Sequence, residues 1–407
     1  MPLYHAPGIY VEEVSTGARP IQPVGTSTAA FVGETPDPEA HVNEAVAVEN
    51  WTSFRREFVK ESSQSTPLSN AVYGFFLNGG RRCYIVNPGK GQSIVGGGKK
   101  RKGVDVLSSI DEVAIVAAPG ATDVASYEAL LAHCEGMEDR VAILDGPREV
   151  KSVEQLTRIA TPKPAAAAAA GAGAEGAEAG GARPRMSQRG FGALYWPWIE
   201  VVDALAEKQT NVLVPPSGHI AGIWARTDST RGVHKAPANE TVRGALGVSY
   251  PVTRDEQAEL NKMGVNCIRF FQREGILVWG ARTLADGSSE WRYVNVRRLF
   301  NLIEESIALS TRWVVFEPND RTLWKSIERD VRAFLTILWR DGALMGRTPE
   351  EAFFVQCDEE TNTPEMIDSG TVVTRIGVAP VKPAEFVVFR IGQQASGTRI
   401  EEGGANG

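Results

Sequence analysis

The segment PGIYVEEV at residues 7–14 reads as a β-strand with no local partner, and that limits the chain's possible folds more than any other feature. Pro2 and Pro7 precede it, and Gly17, Pro20 and Pro23 follow, so no tight hairpin turn returns the chain onto it. A second such segment, AEFVVFRIGQ at residues 384–393, lies between Pro380 and Pro383 on one side and the polar SGTRIEEGGANG on the other. Each strand can complete a sheet in its own subunit, as terminal strands often do. Alternatively it can add to a sheet edge elsewhere, where backbone hydrogen bonds give affinity and side chains give register. The proline-punctuated tethers point to the second outcome. Ile9, Tyr10, Val11 and Val14 would carry the first strand. Phe386, Val387, Val388, Phe389 and Ile391 are apolar on both faces of the second, so it should be covered on both sides.

A chain of 407 residues holds two or three domains, and 43% hydrophobic residues is ordinary for a globular protein. No run of 18 apolar residues and no basic-then-apolar leader is found, so direct membrane insertion is not expected and folding in the bacterial cytoplasm is. Cys83, Cys134, Cys267 and Cys357 form no C-x-x-C pair and read as small buried residues rather than disulfides or a zinc site. A net charge of -7 argues against nucleic acid as partner.

Along the chain, TAAFVGETP reads as a strand, helices follow at residues 51–58 and 69–78, and RRCYIVN is the next strand. From residue 91 the rhythm becomes strand, helix, strand: EVAIVAAPG, a helix from Asp123 and RVAILDGP. This predicts an inserted α/β domain over residues 91–239, within a core domain made of residues 21–90 and 240–383. Residues 1–20 and 384–407 are left as arms. The strand pair GVNCIRFFQ and GILVWGART, joined at Arg273-Glu274-Gly275, reopens the core domain. Residues 162–185, rich in Ala and Gly, have almost nothing to bury and read as a flexible surface loop.

Short motifs do not indicate an enzyme. Gly171, Gly173 and Gly176 fit G-x-G-x-x-G, but no strand precedes them. The Gly96-Gly97-Gly98-Lys99 loop lacks the P-loop spacing, and KKRK at residues 99–102 reads as a solvated tip. His133 beside Cys134 is tempting, yet neighbours on a helix diverge by about 100° and ordinary packing accounts for both. No catalytic set, metal site or cofactor is expected.

Residues 320–342 predict one helix with two faces, opened by Asn319-Asp320 and closed by Gly342. Leu323, Ile327, Val331, Phe334 and Leu338 form an apolar face. Lys325, Arg329, Arg332, Thr336 and Arg340 fall within an arc of roughly 80° on the opposite side, with Glu328, Asp330 and Asp341 outside it. A solvated face usually intersperses acids at i,i+4 spacing, so this stripe points to an acidic partner.

The phrases VPPSGHIAGIWARTDSTRGVHKAPANE, GVNCIRFF, VWGARTL, WRYVNVRRLF, WVVFEPND and APVKPAEFVVFRI resemble the contractile tail sheath family. The likeness covers GIYVEEV, TSTAAFVGE and nearly everything from about residue 107, leaving out the Ala/Gly loop. The length is similar to the compact sheaths of R-type pyocins and phage-like contractile injection systems. The resemblance implies an α/β (α+β) protein: a sheath core domain from both ends of the chain, an inserted α/β domain and extended strand arms. It implies self-association into a helical polymer in which the arms complete a neighbour's sheet. It also implies an inner tube protein held by the helix at residues 320–340, through Lys325, Arg329, Arg332 and Arg340, with baseplate and tail terminator proteins at the ends. The particle would be a phage tail or an injection device. An oligomeric α/β enzyme and a non-contractile filament protein are the alternatives.

Overall fold

The computed structural model describes residues 20–61, 63–98, 100–161 and 180–387. Short apolar runs make most strands of its main sheet, and those at its centre are buried from end to end. The order is β2 (Ala45–Val48), β3 (Cys83–Val86), β1 (Ala29–Val32), β4 (Ile115–Ala117), β5 (Val141–Asp145), β6 (Gly192–Trp196), β11 (Val265–Phe271), β12 (Gly275–Trp279) and β9 (Glu240–Thr241). From β3 to β11 every neighbouring pair is parallel; β2, β12 and β9 are antiparallel to their neighbours. Ile199–Val202 (β7), Asn211–Val214 (β8) and Ala245–Val248 (β10) form a separate three-stranded sheet.

The two-residue period of the strands sends alternate side chains into two cores. Phe31, Ile115 and Ile143 face α2 (Pro67–Asn78) and α4 (Ser217–Arg231), in one cluster with Val72, Phe75, Tyr195 and Trp224. Val32, Val116 and Leu144 face the other way, toward Leu130 and Leu131 of α3 (Val124–Met137) and Leu260 of α5 (Arg254–Lys262). Burial on both faces is what near-continuous apolar strands require. The expected helix at residues 51–58 is α1 (Trp51–Phe58), capped by Asn50. The one expected at 69–78 begins two residues earlier, because Thr66 Oγ1 accepts the Ser69 N–H at 3.1 Å and Pro67 fits the first turn.

Glycine lets α2 and α4 approach closely. A Cβ on Gly218 would lie 2.3 Å from the Ala71 carbonyl oxygen, and one on Gly222 would lie 2.4 Å from that of Phe75. Since backbone rather than a movable side chain stands in the way, Gly218→Ala should destabilise the protein by about 1–3 kcal/mol. A fall in the urea midpoint at unchanged m-value checks this; an unchanged midpoint would mean the helices separate without cost.

A second unit follows the sheet. It consists of α6 (Val294–Ser310), α7 (Arg321–Arg340) and an antiparallel pair, β13 (Phe353–Gln356) with β14 (Arg375–Val378). Its core joins Leu299 and Ile303 of α6, Val331 and Phe334 of α7, and Phe353 and Val355 of β13, and it recruits Ile21 and Val233 from outside. The backbone N–H groups of Gln22 and Val24 donate to Ser310 Oγ and Ser306 Oγ at 3.2 and 3.1 Å.

The hydrogen-bonded ladders redraw the expected division into a 91–239 insert and a 21–90 plus 240–383 core. β1 bonds to β3 on one side and to β4 on the other, across the expected boundary at residue 90. β6 bonds to β11 across the one at residue 239. Strands on both sides of each expected boundary therefore share a single sheet.

Candidate functional site

The helix expected at residues 320–342 is α7. Asp320 Oδ1 accepts the Leu323 N–H at 2.8 Å, and Gly342 ends the turn with φ +79°. Leu323, Ile327, Val331, Phe334 and Leu338 are all buried, joined by Trp324 and Leu335. Lys325, Arg329 and Arg332 lie on the opposite side, 56%, 51% and 44% exposed, and Arg340 is exposed beyond them. One expectation is corrected here: acids do reach this stripe. Glu328 takes Lys325 at 2.7 Å and Arg332 at 3.5 Å, and Asp330 takes Arg329 at 3.0 Å. Glu328 is three residues after Lys325 and four before Arg332, so long side chains bridge the angular gap that the helical wheel suggests is open. The pairs to Glu328, whose cations are about half exposed, contribute only about 0–1 kcal/mol each, whereas Asp330 is itself buried, with a side chain 7% exposed. Four cations against two carboxylates still leave the face positive, and Arg340 has no ionic partner among the described residues.

β13 packs Phe353 and Val355 on α7 and turns Phe354 outward at 51% exposure, over Gly377 of β14. Arg332 Nη2 reaches the Val355 carbonyl at 3.5 Å. A two-stranded sheet alone is marginal in water, and here α7 supports it. Among the described residues neither of its outer edges has a strand partner, so both present backbone groups for strand addition. Of the expected arm residues, Ile9, Tyr10, Val11, Val14, Val388, Phe389 and Ile391 lie outside the described residues. Phe386 and Val387 are described and are not in a strand; they stand 75% and 70% exposed.

Buried polar groups elsewhere serve the fold. Asp145, at the end of β5, accepts from the Gly120 N–H and from the N–H and Oγ of Ser217, which fastens the start of α4 to the sheet. Burial pushes its carboxyl up to about 6, against those hydrogen bonds. Burial lowers His133 to about 4, with Arg140 adding to the effect, and leaves its Nε2 unpartnered. All four cysteines are buried and free. No cluster among the described residues could hold a metal ion, and no described helix is long and apolar enough to cross a membrane.

With two open sheet edges among the described residues and a positive helix face at its surface, the fold presents surfaces suited to contacts with other chains. The description "Phage tail sheath protein central domain" matches residues 186–284, and "Phage tail sheath C-terminal domain" matches residues 286–394. The chain belongs to the phage tail sheath family, a family of structural polymers rather than enzymes. It is 29% identical to the PVC sheath of an extracellular contractile injection system in the contracted state. That likeness has a TM-score of 0.75 and covers 97% of this chain and 99% of the other. The anti-feeding prophage helical sheath, also contracted, is 30% identical with a TM-score of 0.73, over 96% of this chain and all of the other. The tail sheath protein of Vibrio phage KVP40 is 30% identical over 182 residues, which are 44% of this chain but 26% of that protein's length.

Proposed function

We propose that the chain is the sheath subunit of a contractile particle, either a phage tail or an injection device assembled in the bacterial cytoplasm. Subunits polymerise helically around an inner tube protein, between a baseplate and a tail terminator. They then shorten to drive the tube through a target envelope. The observation carrying this reading is the near end-to-end correspondence with a sheath captured after contraction. Residues 1–20 and 384–407 act as arms that add strands to the open edges of β13 and β14 in neighbours. With no nucleotide consumed, the work is stored at assembly in a kinetically trapped lattice. Negative-stain microscopy of the chain expressed with its tube tests this, comparing particle length before and after mild denaturant. Closed oligomers, or filaments whose length never changes, would reject it.

Lys325, Arg329, Arg332 and Arg340 dock, in this reading, on an acidic outer surface of the tube. The double substitution Arg329→Glu/Arg332→Glu replaces attraction with like-charge repulsion across that contact, which costs more than at a free surface. Glu is a good helix former, and losing the Arg332–Glu328 pair changes monomer stability by no more than about 1 kcal/mol. Buried Asp330 loses its ionic partner with Arg329, so monomer melting is measured alongside, and Arg332→Glu alone serves as the control. The expected outcome is a folded subunit whose sheaths fail to grow on tubes, or appear only as empty wide cylinders. Extended particles in wild-type numbers would reject the docking role.

A further inference from the structure

Residues 384–387 belong to no helix or strand, yet Glu385 is firmly bonded. Its Oε1 accepts from Asn261 Nδ2 at 2.7 Å and Arg282 Nε at 2.9 Å. Its Oε2 accepts from Arg282 Nη2 at 2.6 Å and from the Tyr293 hydroxyl at 3.2 Å. Arg282 is steadied in turn by donating Nη1 to the Asn261 carbonyl at 3.0 Å. The carboxylate is thus gripped by the end of α5, the segment after β12 and the residue before α6. Both ionic partners are shielded, with side chains 20% and 13% exposed. Burial raises the Glu385 pKa, but the bonds from Arg282 and Asn261 outweigh it and hold the group below its ordinary value, so it stays ionised at neutral pH. The grip ends there. Phe386 and Val387, next in the chain, are exposed at the mouth of a groove of about 520 Å³ that Ala258, Trp279 and Tyr293 also line.

We propose that Glu385 is a positioning residue for assembly: a latch that, through Arg282, Asn261 and Tyr293, fixes the point and direction in which the C-terminal arm leaves its subunit. The proposal rests on reading residues 384–407 as an arm. An arm released at Glu385 would hinge further back, at Val381, whose N–H donates to the Ala343 carbonyl at 3.2 Å and whose own carbonyl accepts from Asn295 Nδ2 at 3.1 Å. The strand would then search a larger volume before meeting its acceptor edge. Pre-organising a binding segment raises affinity by removing such ordering costs, and tether geometry sets the effective concentration of what it carries. A bidentate Arg–carboxylate pair suits the task because it fixes orientation as well as position.

The test uses the full chain with Glu385→Ala, Glu385→Gln, the exchange Glu385→Arg/Arg282→Glu, and a truncation lacking residues 388–407. The readouts are monomer melting temperature and the concentration at which polymer pellets on ultracentrifugation. Glu385→Ala should melt near wild type and raise the polymerisation threshold about tenfold. Glu385→Gln, which keeps acceptor atoms but loses the charge, should fall between, and the exchange should recover part of the loss. Wild-type polymerisation by Glu385→Ala, with none by the truncation, overturns the latch and leaves the arm reading standing. Wild-type polymerisation by the truncation overturns the arm reading itself. If Glu385→Ala does not fold, the exchange decides: restored folding without restored assembly makes the cluster merely structural and rejects the latch.

Discussion

A chain lacking residues 1–14 should fold as a soluble monomer and fail to form any sheath. Residues 1–14 lie outside the described residues, and the described core begins at Ile21. In the arm reading the segment's contribution is made in the lattice. Some six strand hydrogen bonds, at a net of roughly 0.5–1.5 kcal/mol each, amount to about 3–9 kcal/mol per arm. That is enough to decide association against its entropic cost. Circular dichroism and size exclusion report the fold, and negative-stain microscopy reports the polymer. Full-length sheaths from the truncated chain would end the arm hypothesis. An unfolded product would return the strand to its own subunit's sheet.

Asp228→Ala should be among the most destabilising single changes in the molecule. Arg298 Nη1 and Nη2 meet the Asp228 carboxylate at 2.9 and 2.5 Å, both side chains are at most 7% exposed, and Arg298 lies over the Trp224 ring at 4.7 Å. Thr26 completes the cluster: its Oγ1 donates to Asp228 Oδ2 at 2.6 Å, and its carbonyl accepts from Arg298 Nη2 at 2.8 Å. The pair joins α4 of the sheet unit to α6 of the second unit, with the N-terminal segment threaded between. Removing one ion strands the other in a dry site, which costs about 3–5 kcal/mol, whereas replacing both by apolar groups costs much less. Urea denaturation should rank Asp228→Ala well below the double variant Asp228→Leu/Arg298→Met. Equal stability for the two would show that water reaches the stranded arginine.

Local signals located individual elements well. α1, α3 and α7 start at their side-chain caps, and the apolar face of α7 is buried as its spacing requires. Partner choice was less legible. Nothing near Ala29 indicates that it pairs with Ile115, because the two are far apart in the chain and only the assembled sheet brings them together. The division into insert and core missed for this reason: a change in local rhythm at residue 91 is not a change in hydrogen-bonding partner. The acids beside the α7 stripe were visible in the sequence, but a helical wheel records angles and not side-chain reach. Glu385 gave almost no signal, since Asn261, Arg282 and Tyr293 are each more than ninety residues away and converge only in the fold.

The placement of α6 has a mechanical consequence. Tyr293, which grips Glu385, precedes its first turn, and Ser310 and Ser306, which hold Gln22 and Val24, lie in its last two. Seventeen residues at 1.5 Å per residue separate the two attachment points by about 25 Å. If the two termini link neighbouring subunits, a pull that enters at one root can leave at the other along the axis of a single helix. A helix stretched along its axis bears the load on rows of hydrogen bonds that run parallel to the force. The subunit body can then turn about this strut while the spacing between its two moorings, and so the mesh size of the net, stays constant.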